Sequence, residues 1–272
     1  MLKYIRVFLT KVFSFFNYEL RSKNQYKLSD DPVFVLSKIL EPENVNLIID
    51  GGASIGDTSQ KLSKLFPYAK VHAFEPFPKF LNVLYEKANQ NPRIIVHPLA
   101  LGKENCKKRF NINLSEGTNS LLQPSQKSKE IYGALMEPEA TIEVSQKKLD
   151  DCIKSTINQN IDILKLDLQG GELDALKGAE KLFKAGRVKA ILCELMFEKA
   201  YQGQASWIEL ASLIEDYGLR LFNIYQKHHY NGQIIQADLL FIHSSVLEMS
   251  KEKRTISFHK FSDILNSQSI QE

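Results

Sequence analysis

The sequence predicts an α/β fold with a doubly wound, mainly parallel sheet. Two patterns carry this expectation. Short apolar runs alternate with helical stretches from residue 46 to residue 243. The first apolar run also opens directly into a glycine-rich turn, Gly51-Gly52-Ala53-Ser54-Ile55-Gly56, with a helical pattern behind it.

Residues 2–20 place Leu2, Ile5, Leu9, Val12, Phe16 and Leu20 at three- and four-residue steps, the spacing of an amphipathic helix. Residues 1–28 carry Lys3, Arg6, Lys11, Arg21, Lys23 and Lys27 against Glu19 alone. Such a helix either docks on the main domain, forms part of a homodimer contact, or lies in a membrane interface with its basic residues at lipid headgroups. Pro32 after Asp30-Asp31 suits a first helical turn. Strands are expected at residues 46–50, 71–74, 94–99, 161–168, 189–195, 220–225 and 237–243. Helices are expected at 58–66, 80–88, 172–185 and 210–217. Residues 103–151 break the alternation with two candidate strands, 108–113 and 141–144, and read as an insertion beside the sheet. The expected organisation is an N-terminal helical segment (1–44), a main domain (45–246) and a polar tail (247–272).

The 272 residues carry a formal net charge of +3, and the basic excess of the first 28 exceeds it, so the rest of the chain is slightly acidic and no basic groove for nucleic acid is expected on the main domain. Cys106, Cys152 and Cys193 are widely spaced, which fits reduced thiols in the cytoplasm, with peripheral contact to the inner membrane face if the N-terminal helix binds lipid. No apolar run approaches the roughly 20 residues that span a bilayer. No metal-ligand spacing is present.

A strand, a glycine-rich turn and a helix start form a site for a nucleotide-type cofactor, because the backbone approaches the ligand and free N–H groups point at it. Glu75 ends the second strand, where a carboxylate accepts hydrogen bonds from ribose hydroxyls. The turn alone is compatible with NAD(P) and an oxidoreductase. Asp50 and Asp57 suit a cationic amino-acid moiety better than a diphosphate, and no second domain follows, which favours S-adenosylmethionine (SAM). Asp167 and Glu194 end the fourth and fifth strands at the ligand-binding edge and are the first catalytic candidates. His228 and His229, expected in the loop before the last strand, titrate near neutral pH and are further candidates. Asp238 is expected to line the acceptor pocket or to cap its strand, and Lys165 to pair with an acid.

The segments IIDGGASIGDTS, HAFEPFP, HPLALG, GTNSLL and LKLDLQGGELDALKGAEKLF occur in the order found in the FkbM family of SAM-dependent methyltransferases, which the chain resembles over roughly residues 45–245. The resemblance implies a seven-stranded class I methyltransferase (Rossmann-like) sheet with its last strand antiparallel. It implies O-methylation of a hydroxyl on a sugar, glycolipid or other natural-product acceptor. Asp50, Gly52, Ala53, Ser54, Gly56 and Glu75 would hold SAM, with Ala100, Leu101 and Asn119 close by. The family often has Lys-x-Asp-x-Glu-Gly where this chain has Lys165-Leu166-Asp167-Leu168-Gln169-Gly170. Gln169 keeps the hydrogen bonding without the charge and is expected to contact the acceptor. A protein that binds SAM at a membrane without turnover is the non-enzymatic alternative.

Overall fold

A computed structural model describes residues 30–153 and 160–248. The amphipathic helix expected over residues 2–20 and the polar tail lie outside them. The described chain opens with α1 (Pro32–Ile39), whose start is fixed by Asp31: its carboxylate accepts from the N–H of Val33 at 3.0 Å and of Phe34 at 3.3 Å. Seven strands then form one sheet: β1 (Leu47–Gly51), β2 (Lys70–Phe74), β3 (Ile94–His97), β7 (Ile163–Leu166), β8 (Ala190–Met196), β9 (Leu219–Tyr230) and β10 (Gln233–His243). Their order is β3-β2-β1-β7-β8-β10-β9. Neighbours from β3 through to β8 run parallel, while β10 runs antiparallel to both β8 and β9. This is the predicted class I arrangement.

All five residues of β1 are buried, because a central parallel strand is covered on both faces. The two-residue side-chain period splits them between two cores. Leu47 and Ile49 join Leu164, Leu166, Ile191 and Cys193 on one face. Ile48 joins Ile163, Leu192, Leu240, Val33 and Leu36 on the other. The second core seats α1 beside α2 (Asp57–Leu65) and α3 (Pro78–Gln90), so part of the expected N-terminal segment packs on the main domain. Each such buried aliphatic side chain contributes about 1.5–3 kcal/mol relative to exposure.

The insertion forms a second sheet of β4 (Ala100–Leu101), β6 (Pro138–Lys147) and β5 (Cys106–Asn113), in that order, with α4 (Gln126–Tyr132) between its long strands. A short α5 (Leu149–Cys152) leads back to the main sheet.

Two expectations need correction. The single helix expected over 172–185 is two, α6 (Glu172–Lys177) and α7 (Glu180–Lys184). The break falls at Gly178, which sits so close to the chain at Gly102 that a Cβ there would lie 2.0 Å from the Gly102 carbonyl oxygen. The loop expected to carry His228 and His229 is strand instead, since β9 continues to Tyr230. Helix α8 (Trp207–Asp216) precedes it, capped by Ser206. Among the described residues no helix is long and apolar enough to cross a membrane.

Candidate active site

The turn after β1 hangs from its neighbour. The N–H groups of Gly52 and Ala53 both donate to the Phe74 carbonyl at 3.0 Å. Gly52 has φ of +71°, and a Cβ there would lie 1.9 Å from the carbonyl oxygen of Asp167. Only glycine meets both conditions. Ser54 follows with φ of +50°, which aims its N–H at Glu75 Oε2, 2.8 Å away. The Phe77 N–H donates to Glu75 Oε1, also at 2.8 Å. Burial raises the Glu75 carboxyl above its ordinary value, and these two N–H bonds oppose the rise.

Asp50 does not reach this cleft. It is fully buried, accepts from Ser59 Oγ at 2.6 Å and pairs with Lys165 Nζ at 3.2 Å. Lys165 also donates to the Gly52 carbonyl at 2.8 Å and lies 3.7 Å from Asp167. Burial alone pulls the Lys165 ammonium down, but Asp50 and Asp167 outweigh that and hold it above its ordinary value. The expected contact between Asp50 and the cofactor is therefore replaced by an anchoring role. Asp50 and Lys165 join the ends of β1 and β7, which the register places side by side.

The cleft beyond Gly52 encloses about 180 Å³. Gly52, Ser54, Glu75, Ala100, Leu101, Asn119, Asp167 and Gln169 line it, as do Phe77, Phe80, Phe110 and Leu121. Ala53 packs instead in the core beside Leu62, and Gly56 precedes α2 without bordering the cleft. Phe77 and Phe80 meet edge to face at 5.1 Å, and Phe110 comes from the inserted sheet. The Asn119 Oδ1 accepts from the Asn113 N–H at 2.8 Å, while its buried Nδ2 has no partner among the described residues.

A second cavity, of about 200 Å³, adjoins the first at Asp167, which borders both. Its wall includes Glu194, Asp238, Lys165 and the ion pair of Asp31 with Lys61. Glu194 and Asp238 face each other across the antiparallel pair β8–β10. Burial drives the Glu194 carboxyl well above the usual carboxylate range, and Asp167, Glu172 and Asp238 add to the rise. Burial, then Asp167, push Asp238 to about 6.

Gln169 lines the first cavity with its backbone in the left-handed region, φ +51°. Its Nε2 donates to Asp167 Oδ1 at 2.8 Å and to Glu194 Oε2 at 2.7 Å. Its Oε1 accepts from the Tyr201 hydroxyl at 2.9 Å. With Glu at this position three carboxylates would converge; the neutral amide satisfies two of them instead.

Asp167 and Gln169 after β7, Glu194 on β8 and Asp238 on β10 are thus brought together. His228 and His229 are exposed on β9 and border neither cavity. Sequence reasoning missed the aromatic wall, although the run FEPFPKF at residues 74–80 carries two of its rings beside Glu75. It also missed Gln236, Tyr132 and Tyr201, whose polar side chains have no local pattern that marks them. Among the described residues no group of three or more His, Cys, Asp or Glu side chains is placed to hold a metal ion.

The first cleft suits an adenosine-bearing cofactor. An apolar slot of aromatic rings accommodates a base, the Glu75 carboxylate borders it for a ribose, and the Asn119 amide, without a partner among the described residues, supplies a buried donor.

A family profile described as the methyltransferase FkbM domain matches residues 50–221. The 2-O-methyltransferase NoeI of Sinorhizobium fredii is 23% identical over 192 residues, spanning 68% of this chain and 76% of NoeI. The methyltransferase sdnD of Sordaria araneosa is 28% identical over 160 residues, 49% of this chain and 60% of that protein. The crystal structure of methyltransferase FkbM from Methylobacillus flagellatus KT aligns with a TM-score of 0.48 at 18% identity, covering 72% of this chain and 43% of that one. The chain therefore spans less than two thirds of sdnD and less than half of the M. flagellatus protein. The matched domain covers more than half of the chain, and the nicotinamide reading gives way to it: the chain belongs to the FkbM methyltransferase family and is a SAM-dependent methyltransferase.

Proposed function

We propose that the protein methylates a hydroxyl oxygen of a neutral sugar, glycolipid or related polyhydroxylated acceptor. The observation that carries this reading is the second cavity, which meets the cofactor cleft at Asp167 and is walled by Glu194 and Asp238. Bound SAM supplies a methyl group already activated on a sulfonium. Gly52, Ser54, Glu75 and Asn119 would hold it, with the rings of Phe77, Phe80 and Phe110 around the base.

A hydroxyl is a weak nucleophile, so a residue that takes its proton matters more for it than for an amine. Asp167 sits at the junction and accepts a hydrogen bond that orients the hydroxyl. Glu194 takes the proton as the oxygen gains the methyl group. Its raised pKa makes it a stronger base than an exposed carboxylate. Both lysines on the cavity wall are committed to carboxylates, Lys61 to Asp31 and Lys165 to Asp50 and Asp167. The wall therefore favours donors of hydrogen bonds and disfavours anionic acceptors.

Incubation with methyl-labelled SAM and fractionated glycans, glycolipids and small molecules tests the reading. The expected product carries label in a neutral glycan or glycolipid fraction, stable to mild alkali as an ether. Label that alkali releases, as from an ester, or label on amines would contradict it.

A further inference from the structure

Both oxygens of Glu194 are occupied by glutamine amides. Gln169 Nε2 donates to Oε2, and Gln236 Nε2 donates to Oε1. Each amide is oriented by a tyrosine. The Tyr201 hydroxyl meets Gln169 Oε1 at 2.9 Å, and the Tyr132 hydroxyl donates to Gln236 Oε1 at 3.1 Å. An amide whose oxygen faces a phenol turns its N–H groups the other way, toward the carboxylate.

The backbone at Gln236 carries an independent signal. The pairing of β10 with β9 slips on both sides of it, between Ile234 and Gln236 and between Gln236 and Asp238. Such bulges re-aim side chains beside functional sites. Tyr132 reaches Gln236 from α4 of the insertion, so the inserted segment touches the reaction side of the main sheet as well as the cofactor cleft.

We propose that Gln236, oriented by Tyr132, is a positioning residue that holds Glu194 as an ionised, acceptor-only carboxylate facing the acceptor cavity. The inference rests on Glu194 as the proton acceptor of the proposed reaction. The other charged or titratable groups around Glu194 are Asp167 beyond β7, Lys165 on β7, Glu172 on α6, Asp238 on β10, Tyr132 on α4 and Tyr201 after β8. His228 on β9 lies opposite Gln236 and acts on Asp238. A hydrogen bond shared with Asp167 favours the neutral form of Glu194, and against it the two amides donate directly to the charged form.

The test is a pH titration followed by infrared difference spectroscopy of the whole protein without acceptor. The protonated-carboxyl band of Glu194 is assigned by its disappearance in Glu194→Gln. Gln236→Met removes the N–H donor at nearly constant volume and is expected to raise the midpoint of that band by about one pH unit. Tyr132→Phe is expected to raise it by less, and Gln236→Glu by more, through like charge. Circular dichroism confirms that each variant is folded. An unshifted midpoint in folded Gln236→Met overturns the proposal, as does a Glu194→Gln spectrum that loses no titrating band. Alkali-labile label in the acceptor assay overturns the hydroxyl-acceptor reading instead, and leaves the infrared result to judge Gln236 alone.

Discussion

On one side of Asp167 the wall is made of Phe77, Phe80, Phe110 and Leu121, with the carboxylates of Glu75 and of Glu116, the latter paired with Lys79. On the other side it is made of Glu194, Asp238 and Lys165, with few apolar side chains between them. The first cavity is anchored on one turn: Gly52 donates its N–H to the Phe74 carbonyl and Ser54 donates its N–H to Glu75, while Phe110, Asn119 and Leu121 of the insertion close the opposite wall. The second is assembled from the ends of β7, β8 and β10, with Pro32 and Val33 of α1, Thr58 and Lys61 of α2 and Gln226 of β9. The difference matches the two tasks. A cofactor of fixed chemistry is gripped by backbone geometry that tolerates no substitution. An acceptor is met by side chains that differ in charge and reach, and these can change without disturbing the turn.

Breaking the contact between the two cavities has the largest expected effect. Gly52→Ala drives a Cβ into the Asp167 carbonyl at a backbone angle that disfavours L side chains. It is expected to destabilise the fold by roughly 3 kcal/mol or more in denaturant titration, and to abolish SAM binding. Next comes Glu194→Gln, which is expected to lower kcat by about 10²–10⁴-fold while changing the SAM Kd less than about threefold, by steady-state kinetics and calorimetry. Because Glu194 must be ionised to take a proton, and burial raises its pKa, the wild-type rate is expected to fall on acidification from a higher pH than an exposed carboxylate would give. Glu75→Gln inverts the pattern. It is expected to weaken SAM binding about 10–100-fold, through lost charged hydrogen bonds, with the acceptor KM little changed.

The smallest effect concerns Glu172, whose carboxyl accepts from the N–H of Leu168 at 2.7 Å beneath the junction. Burial raises it from 4.5 to about 7. Between those values the folded protein binds more protons than the unfolded chain, so stability falls as pH rises. Glu172→Gln keeps an acceptor oxygen and carries no charge, so a thermal melt series from pH 5 to pH 8 is expected to be flatter than that of the wild type by a few degrees.

The same contrast decides what could be read from the chain. The cofactor turn was legible because its signals are local: Gly52 two residues after Asp50, and Glu75 at the end of the next strand. The sheet was legible because strand and helix periods alternate, and the resemblance supplied the antiparallel last strand. Asp50 was misjudged because a carboxylate at a strand end looks alike whether it faces ligand or a buried lysine; only the register with Lys165 separates the two. The partner was nevertheless foreshadowed by period two. Ile48 and Asp50, Ile163 and Lys165, Leu192 and Glu194, and Leu240 and Asp238 each share a face, so the polar members all emerge at one edge of the same core. The amide clamp on Glu194 was not legible. Gln169, Gln236, Tyr132 and Tyr201 come from four separate segments, and a two-residue strand period gives no warning of the bulges beside Gln236. His228 and His229 were overweighted because residue type alone made them candidates, while their strand leaves both exposed and bordering neither cavity.

A crystal structure with S-adenosylhomocysteine, the demethylated donor, tests the division of labour most directly. The base is expected among Phe77, Phe80 and Phe110, the ribose hydroxyls at Glu75, and the thioether sulfur toward Asp167, with the Glu194–Asp238 cavity left open. Density for the ligand in the cavity of Glu194 and Asp238, or a ribose held by any carboxylate other than Glu75, would contradict it.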